Sequence, residues 1–309
     1  MFPTATVAPI PQDGGPDLVL PIQNTRGINQ AYLRPTPSGP LLGDGVARSE
    51  WILLVENEFR SAFTAQEDAE FWRLVFTRRF GVPGGEWAVT LPLINSGGGV
   101  MDPFIAWWHR SVAHHTVPGQ ESAPRGRFFY RLADGTPISS GTGIGDLKFE
   151  YSFRVPGQPR LSLKLPTGNP SYLFGSGGVD LALSAENTWR FWPAYSFTAH
   201  AGVVYQSPST LWSRTRPWAP VYTLALAYEP WERQSFVLQL SAEGSPIDNR
   251  QPYLDQTNRI ITLAYSKAVK EGVWTFWVSE DGDIGQLNLN QNVNVGADFT
   301  IGIRFTQKR

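Results

Sequence analysis

Asp146-Leu147-Lys148-Phe149-Glu150-Tyr151-Ser152-Phe153-Arg154-Val155 is the stretch on which the fold turns. Leu147, Phe149, Tyr151, Phe153 and Val155 fall on one parity, and Lys148, Glu150, Ser152 and Arg154 on the other. Successive side chains of a strand point to opposite faces, so this segment is a strand with one bulky apolar face and one charged face. A single such strand also fits a soluble sheet; repetition separates the two cases. Phe197, Ala199, Ala201, Val203 and Tyr205 alternate with Thr198, His200, Gly202 and Val204. The bulky set returns as Tyr222, Leu224, Leu226 and Tyr228, then Phe236, Leu238 and Leu240, then Ile261, Leu263 and Tyr265. Opposite it stand small residues in the later strands and Arg, Lys and Glu in the earlier ones. That is the composition of a lumen rather than of a soluble sandwich's wet face.

The connections support the same reading. Gly81 to Gly84, Pro156 and Gly157, Phe191 to Pro193, Pro230 and Trp231, and Val269 to Glu271 read as tight turns. Between them lie longer segments: Ser61 to Glu67, Ser96 to Thr142, Thr167 to Gly175, Gln206 to Thr215, Gly244 to Gln256 and Asp281 to Val293. Outer-membrane barrels have short periplasmic turns and long outer loops. The expected fold is an all-β, membrane-spanning, antiparallel up-and-down β-barrel of about twelve strands with a short helix in a long extracellular loop. Its first six strands are 49–60, 70–80, 86–95, 143–155, 158–166 and 176–190. The last six are 194–205, 216–229, 232–243, 257–268, 272–280 and 294–305, with Phe128 to Leu132 as a hairpin inside the second long loop. An even count puts both termini on the short-turn side, expected to be periplasmic, in a Gram-negative outer membrane.

Composition narrows the alternatives. No run approaches the roughly 18 apolar residues of a membrane helix. Net charge is -1, which gives no basis for nucleic-acid binding. The chain has 12 Trp, 10 Tyr and 18 Phe, fitting strands and aromatic girdles, and no Cys, so disulfides and thiolate metal sites are excluded. Met1-Phe2-Pro3-Thr4 shows no basic region followed by an apolar core, as expected of a mature chain already freed of its leader. Phe299, Ile301, Ile303 and Phe305 resemble the C-terminal strand by which the outer-membrane assembly machinery recognises barrels, although Thr306 to Arg309 follow.

Between Trp87 and Val179 a series of segments occurs in order: Leu91-Pro92-Leu93, Ser96-Gly97-Gly98, Asp102-Pro103-Phe104-Ile105 with Trp108-His109, and Arg127-Phe128-Phe129-Tyr130-Arg131. Gly141 to Leu147, Leu163-Lys164-Leu165-Pro166-Thr167-Gly168 and Gly175 to Asp180 complete it. This order resembles the bacterial outer-membrane barrels catalogued as domain of unknown function 3187, and the resemblance extends to Pro21-Ile22-Gln23-Asn24 before fading beyond Val179. It implies fold and location and carries no activity.

Two segments lie outside the strands. Residues 1–48 have Pro at 3, 9, 11, 16, 21, 35, 37 and 40, which removes too many donors for regular sheet. Their apolar Leu18-Val19-Leu20-Pro21-Ile22 needs burial, so the segment is either a plug inside the barrel formed by 49–309 or a disordered tail. The loop from Ser96 to Thr142 holds Asp102 as an N-cap and Pro103 at the first position of a helix running to about His114. Its Phe104, Ile105, Trp107, Trp108 and His109 form a broad surface for the outer rim, the mouth or a constriction.

By parity the lumen receives Glu56, Glu58, Arg60, Arg73, Arg79, Lys148, Glu150, Arg154, Lys164, Asp180, Glu186, Arg190, His200 and Arg304, with Gln239. Opposite charges on neighbouring strands would pair, and any path they leave would focus field on small polar or ionic solutes. No Gly-x-Ser-x-Gly elbow or phosphate loop is present, and His200 faces away from lipid, so no enzyme is expected. His109, His114, His115 and Glu121 make too poor a ligand set for zinc, and no cofactor is expected. The expected protein is a monomeric channel for small hydrophilic or anionic solutes, meeting lipid bilayer and lipopolysaccharide, with selectivity set by its lumen Arg and Lys. The alternatives are a closed interaction barrel and a transporter of small apolar molecules with an N-terminal hatch.

Overall fold

The computed structural model describes residues 15–62, 65–114, 122–132, 134–212, 214–248, 257–281 and 299–307. In chain order its strands are β1 (Ala47–Ala62), β2 (Ala65–Val82), β3 (Gly85–Gly97), β4 (Phe129–Arg131), β5 (Pro137–Ile138), β6 (Gly141–Ile144), β7 (Leu147–Phe153) and β8 (Arg160–Leu165). They continue as β9 (Asp180–Trp192), β10 (Tyr195–Gln206), β11 (Trp218–Trp231), β12 (Gln234–Glu243), β13 (Asn258–Ala268), β14 (Gly272–Asp281) and β15 (Phe299–Gln307). Twelve of them, β1 to β3 and β7 to β15, pair antiparallel with their neighbours, and β1 pairs with β15 from Glu50↔Thr306 to Asn57↔Phe299. The ring is closed, so no sheet edge remains to be satisfied in lipid.

Parity is as the alternation predicts. Leu161, Leu183, Leu224 and Leu263 point outward and are about half exposed, an apolar belt of the kind that faces lipid in outer-membrane barrels. At the end of the barrel carrying the tight turns the belt is rimmed by aromatic pairs, including Trp51–Phe76 at 4.4 Å, Trp87–Tyr151 at 4.8 Å, Tyr195–Tyr228 at 4.8 Å and Trp274–Phe305 at 4.6 Å.

Several expected boundaries move. The stretch expected as a loop at Ser61 to Glu67 is mostly strand, since β1 and β2 stay in register to Ala62↔Ala65. The extension of β2 is itself paired, through Gln66 to Asp68, with β4, which turns back on β5 as the expected hairpin. The strand expected at 143–155 is broken into β6 and β7. Leu93 pairs with Ile144 and Thr90 with Lys148, so two residues of β3 face three, a bulge. Pro92 sits at the break, where it has no N–H for the ladder and accepts from the Gly145 N–H at 2.8 Å. The strand expected from Ser176 begins at Asp180, because Ser176 and Gly178 turn inward to hold Lys164. The part of the last expected strand at 294–298 lies outside the described residues.

The loop helix differs as well. It begins at Asp102, with Met101 rather than Asp102 as its N-cap, and after Trp108 it widens into a π-turn that ends at His114 in the left-handed region (φ 50°). Ile105, Phe104 and Trp108 pack on Phe299 and Val55, which belong to the outward faces of β15 and β1. The helix therefore lies on the outside of the rim. Glu70 anchors it, accepting the Val100 and Met101 N–H at 2.9 and 2.8 Å and the Trp72 indole N–H at 2.7 Å.

Candidate functional site

Residues 15–43 lie inside the barrel, bonded to wall strands on every side. The path is a U. Asp17 is held by Thr275 (2.6 Å) and Arg304 (3.1 Å), near the tight-turn end. Leu20 reaches Gln239 halfway up (3.0 Å), and the Asn24 N–H donates to Glu243 (2.6 Å) at the long-loop end. A single helical turn, Gly27–Gln30, reverses the chain. The return limb passes Asp180, which accepts the Leu33 N–H (2.8 Å), and Glu186, which accepts the Ser38 N–H (2.8 Å). It ends at Glu86, which accepts the Leu42 N–H (2.7 Å).

An extended segment threaded through a barrel has no strand to pair with, and its buried amides still require partners. Pro16, Pro21, Pro35, Pro37 and Pro40 reduce the number of donors. Wall carboxylates take the N–H groups of Asn24, Gly27, Leu33, Ser38 and Leu42, while Gln239 takes that of Leu20 and Ser266 that of Asp17. Wall cations take the carbonyls: Arg73 that of Thr25 (2.7 Å), Arg79 those of Ser38 and Pro40 (3.2 and 3.1 Å), Arg154 that of Leu42 (2.7 Å), and Arg160 that of Thr36. The charged wall thus replaces a β-ladder. Gly81 leaves room for the exit from the barrel, since a Cβ there would sit 2.0 Å from the Gly43 carbonyl oxygen.

Besides Asp17, the hairpin returns two arginine side chains to this network. Arg26 pairs with Glu67, and Arg34 lies 3.5 Å from Glu243 while donating to Gln206 and the Gly244 carbonyl, both at 3.1 Å. Above the reversal, Ile28 and Tyr32 join Phe71, Tyr130, Leu173, Phe174, Leu211, Trp212 and Ile247 in one apolar cluster. It closes the long-loop end with residues from four loops. A second cluster packs Leu18, Val19, Leu20 and Ile22 against Leu54, Val237 and Trp277 of the inner wall.

The expected lumen residues face inward, but their charges are mutually engaged. Arg73 pairs with Glu56 (3.1 Å), Arg79 with Glu86 (2.7 Å) and Glu50 (3.1 Å), and Arg160 with Glu186 (3.2 Å). Lys164 is held by Asp146 and Asp180, Arg190 by Glu229 (2.6 Å), and Arg304 by Glu50 (2.7 Å). Arg154 lies at the mouth beside Asp44 (2.9 Å) rather than within the lumen. Lys148 is the exception among the described lumen cations: its Nζ has only the Gln23 side-chain oxygen, at 3.4 Å, and no carboxylate within ion-pair distance. Glu150 accepts from Ser162 (2.9 Å), and His200 is buried with neither ring nitrogen bonded to a described group. The Arg60 side chain, His115 and Glu121 lie outside the described residues. Of the loop helix, Ile105 and His109 are buried and Trp107 is 49% exposed. The sequence reading left out Glu50, Glu86, Asp146, Arg160 and Glu243, although Glu50 shares its parity with Glu56, Arg160 with Lys164 and Glu243 with Gln239.

A closed twelve-stranded antiparallel barrel with an apolar outer belt and a charged lumen has the fold of the outer-membrane β-barrels. The chain belongs to the family described as protein of unknown function (DUF3187), which it matches over residues 72–302, well beyond the segments ending at Val179. Among solved structures it is similar to the COG4313 outer membrane channel from Pseudomonas putida F1, at 10% identity and TM-score 0.56 over 89% of this chain and 99% of that one. The KdgM porin (7% identity, TM-score 0.42, 84% and 98% of the two chains) and the NanC porin (10%, 0.44, 84% and 98%) are more distant. No curated protein matches the sequence.

Proposed function

We propose that this protein is an outer-membrane channel for small hydrophilic or anionic solutes, held shut by residues 15–43 and opened when that hairpin leaves the lumen. The observation that carries this reading is the match between wall and hairpin: wall carboxylates accept amide N–H groups of Asn24, Leu33, Ser38 and Leu42, and wall arginines bind carbonyls. Side chains can be rehydrated when the hairpin withdraws, whereas the strand ladders of the wall stay intact. On this reading the tight-turn end and both termini are periplasmic, the chain is monomeric in bilayer and lipopolysaccharide, and its last strand serves the assembly machinery. The comparison that carries weight, the COG4313 channel, supports the fold.

Proteoliposome swelling tests the proposal. A chain beginning at Asp44 is expected to admit arabinose and small organic anions much faster than the intact protein does. Equal exclusion by both, with the truncated barrel folded, would favour the closed interaction barrel, for which the sealed long-loop end is the supporting observation.

A further inference from the structure

Between the hairpin and the inner wall of β1, β2, β3 and β7 lies a cavity of about 140 Å³. Ile52, Leu54, Val75 and Ile94 form an apolar wall, with Trp277 beside them, and Lys148 lines the same space. The charged neighbours in that lining are otherwise occupied: Glu50 is bonded to Arg304 and Arg79, Arg79 also to Glu86, and Glu150 to Ser162. Among the described cations of the lining, Lys148 alone has no carboxylate within ion-pair distance, Glu150 and Asp146 acting on it from farther off. The Trp277 indole N–H, on a side chain 4% exposed, also finds no acceptor there. Gly302 fixes the position of that ring, since a Cβ at 302 would lie 2.0 Å from it.

We infer that this cavity binds a small aromatic carboxylate, one six-membered ring carrying one carboxylate, with the ring against the Ile52–Leu54–Val75 wall and the carboxylate on Lys148. The size sets the ring, since a cavity of about 150 Å³ accommodates benzene, and the apolar side formed by Ile52, Leu54, Val75 and Ile94 gives the ring its place. The charge sets the substituent, because a half-buried ammonium with no carboxylate in contact favours an anion and a charge-assisted hydrogen bond is among the stronger ones available. The inference deepens the channel reading, on which it rests for the ligand's route in.

Isothermal titration of benzoate into the intact refolded protein tests it, with acetate, benzyl alcohol and benzylammonium as comparisons. Saturable one-site binding of benzoate is expected, with each comparison at least tenfold weaker. Lys148→Gln is expected to weaken benzoate tenfold or more, and Lys148→Arg to retain most of the affinity. Leu54→Trp, which fills the cavity from the opposite wall, serves as a second variant and is expected to abolish binding. No binding, acetate binding as well as benzoate, or benzoate affinity indifferent to Lys148→Gln in a folded barrel would each overturn the inference. Potassium chloride conductance of the chain beginning at Asp44 reports on the channel reading separately, whatever benzoate does.

Discussion

Arg34→Ala tests how the hairpin is held. Arg34 is 2% exposed and donates to Gln206 and the Gly244 carbonyl, both at 3.1 Å, with Glu243 at 3.5 Å. All three partners belong to the wall or its loops, and Glu243 is itself 4% exposed. Removing one member of a buried ion pair costs about 3–5 kcal/mol, because the other charge is left uncompensated. Here that cost falls on the docked state alone, since withdrawal of the hairpin exposes Glu243 to water. At about 3 kcal/mol, with each 1.4 kcal/mol a factor of ten, the docked-to-undocked ratio falls on the order of a hundredfold. Single-channel recording reads this as open probability. Arg190→Ala is the control, because Arg190 and Glu229 are both wall residues and partly exposed. An Arg34→Ala open probability equal to that of the intact chain and of Arg190→Ala would refute the reasoning.

Further outcomes follow from the packing. Tyr32→Ala removes a fully buried ring from the cluster closing the long-loop end and is expected to cost about 3 kcal/mol, read as faster proteolysis within residues 15–43. Glu70→Ala strands the Val100 and Met101 N–H groups, so the loop helix should loosen by about 2 kcal/mol, seen as hydrogen exchange confined to residues 98–108. Gly302→Val drives a side chain into the Trp277 ring and is expected to destabilise the barrel by about 1–3 kcal/mol, measured by urea unfolding in detergent.

The wall was legible in the sequence because its signal is local. Leu147 to Val155 and Phe197 to Tyr205 display in consecutive residues which face meets lipid, and the paired register preserves that parity around the ring. The bulge at Pro92 was hidden, since it depends on a missing donor in one strand displacing residues in another. The hairpin's course was hidden for the same reason: Pro-rich composition shows that residues 15–43 avoid sheet, while their partners lie as far away in sequence as Gln239 and Arg304. Parity turns Glu56, Arg73, Arg79, Lys164, Glu186 and Arg304 to the inside, while Arg154 lies at the mouth. That most of them hold backbone or each other, leaving Lys148 apart, required distances that alternation does not encode.

Planar-bilayer conductance of the intact chain beside one beginning at Asp44 addresses the central claim most directly. The account predicts near silence in the intact protein and steady, large openings once residues 1–43 are gone. Steady openings of equal size in both, or silence in a truncated barrel shown to be folded, would contradict it.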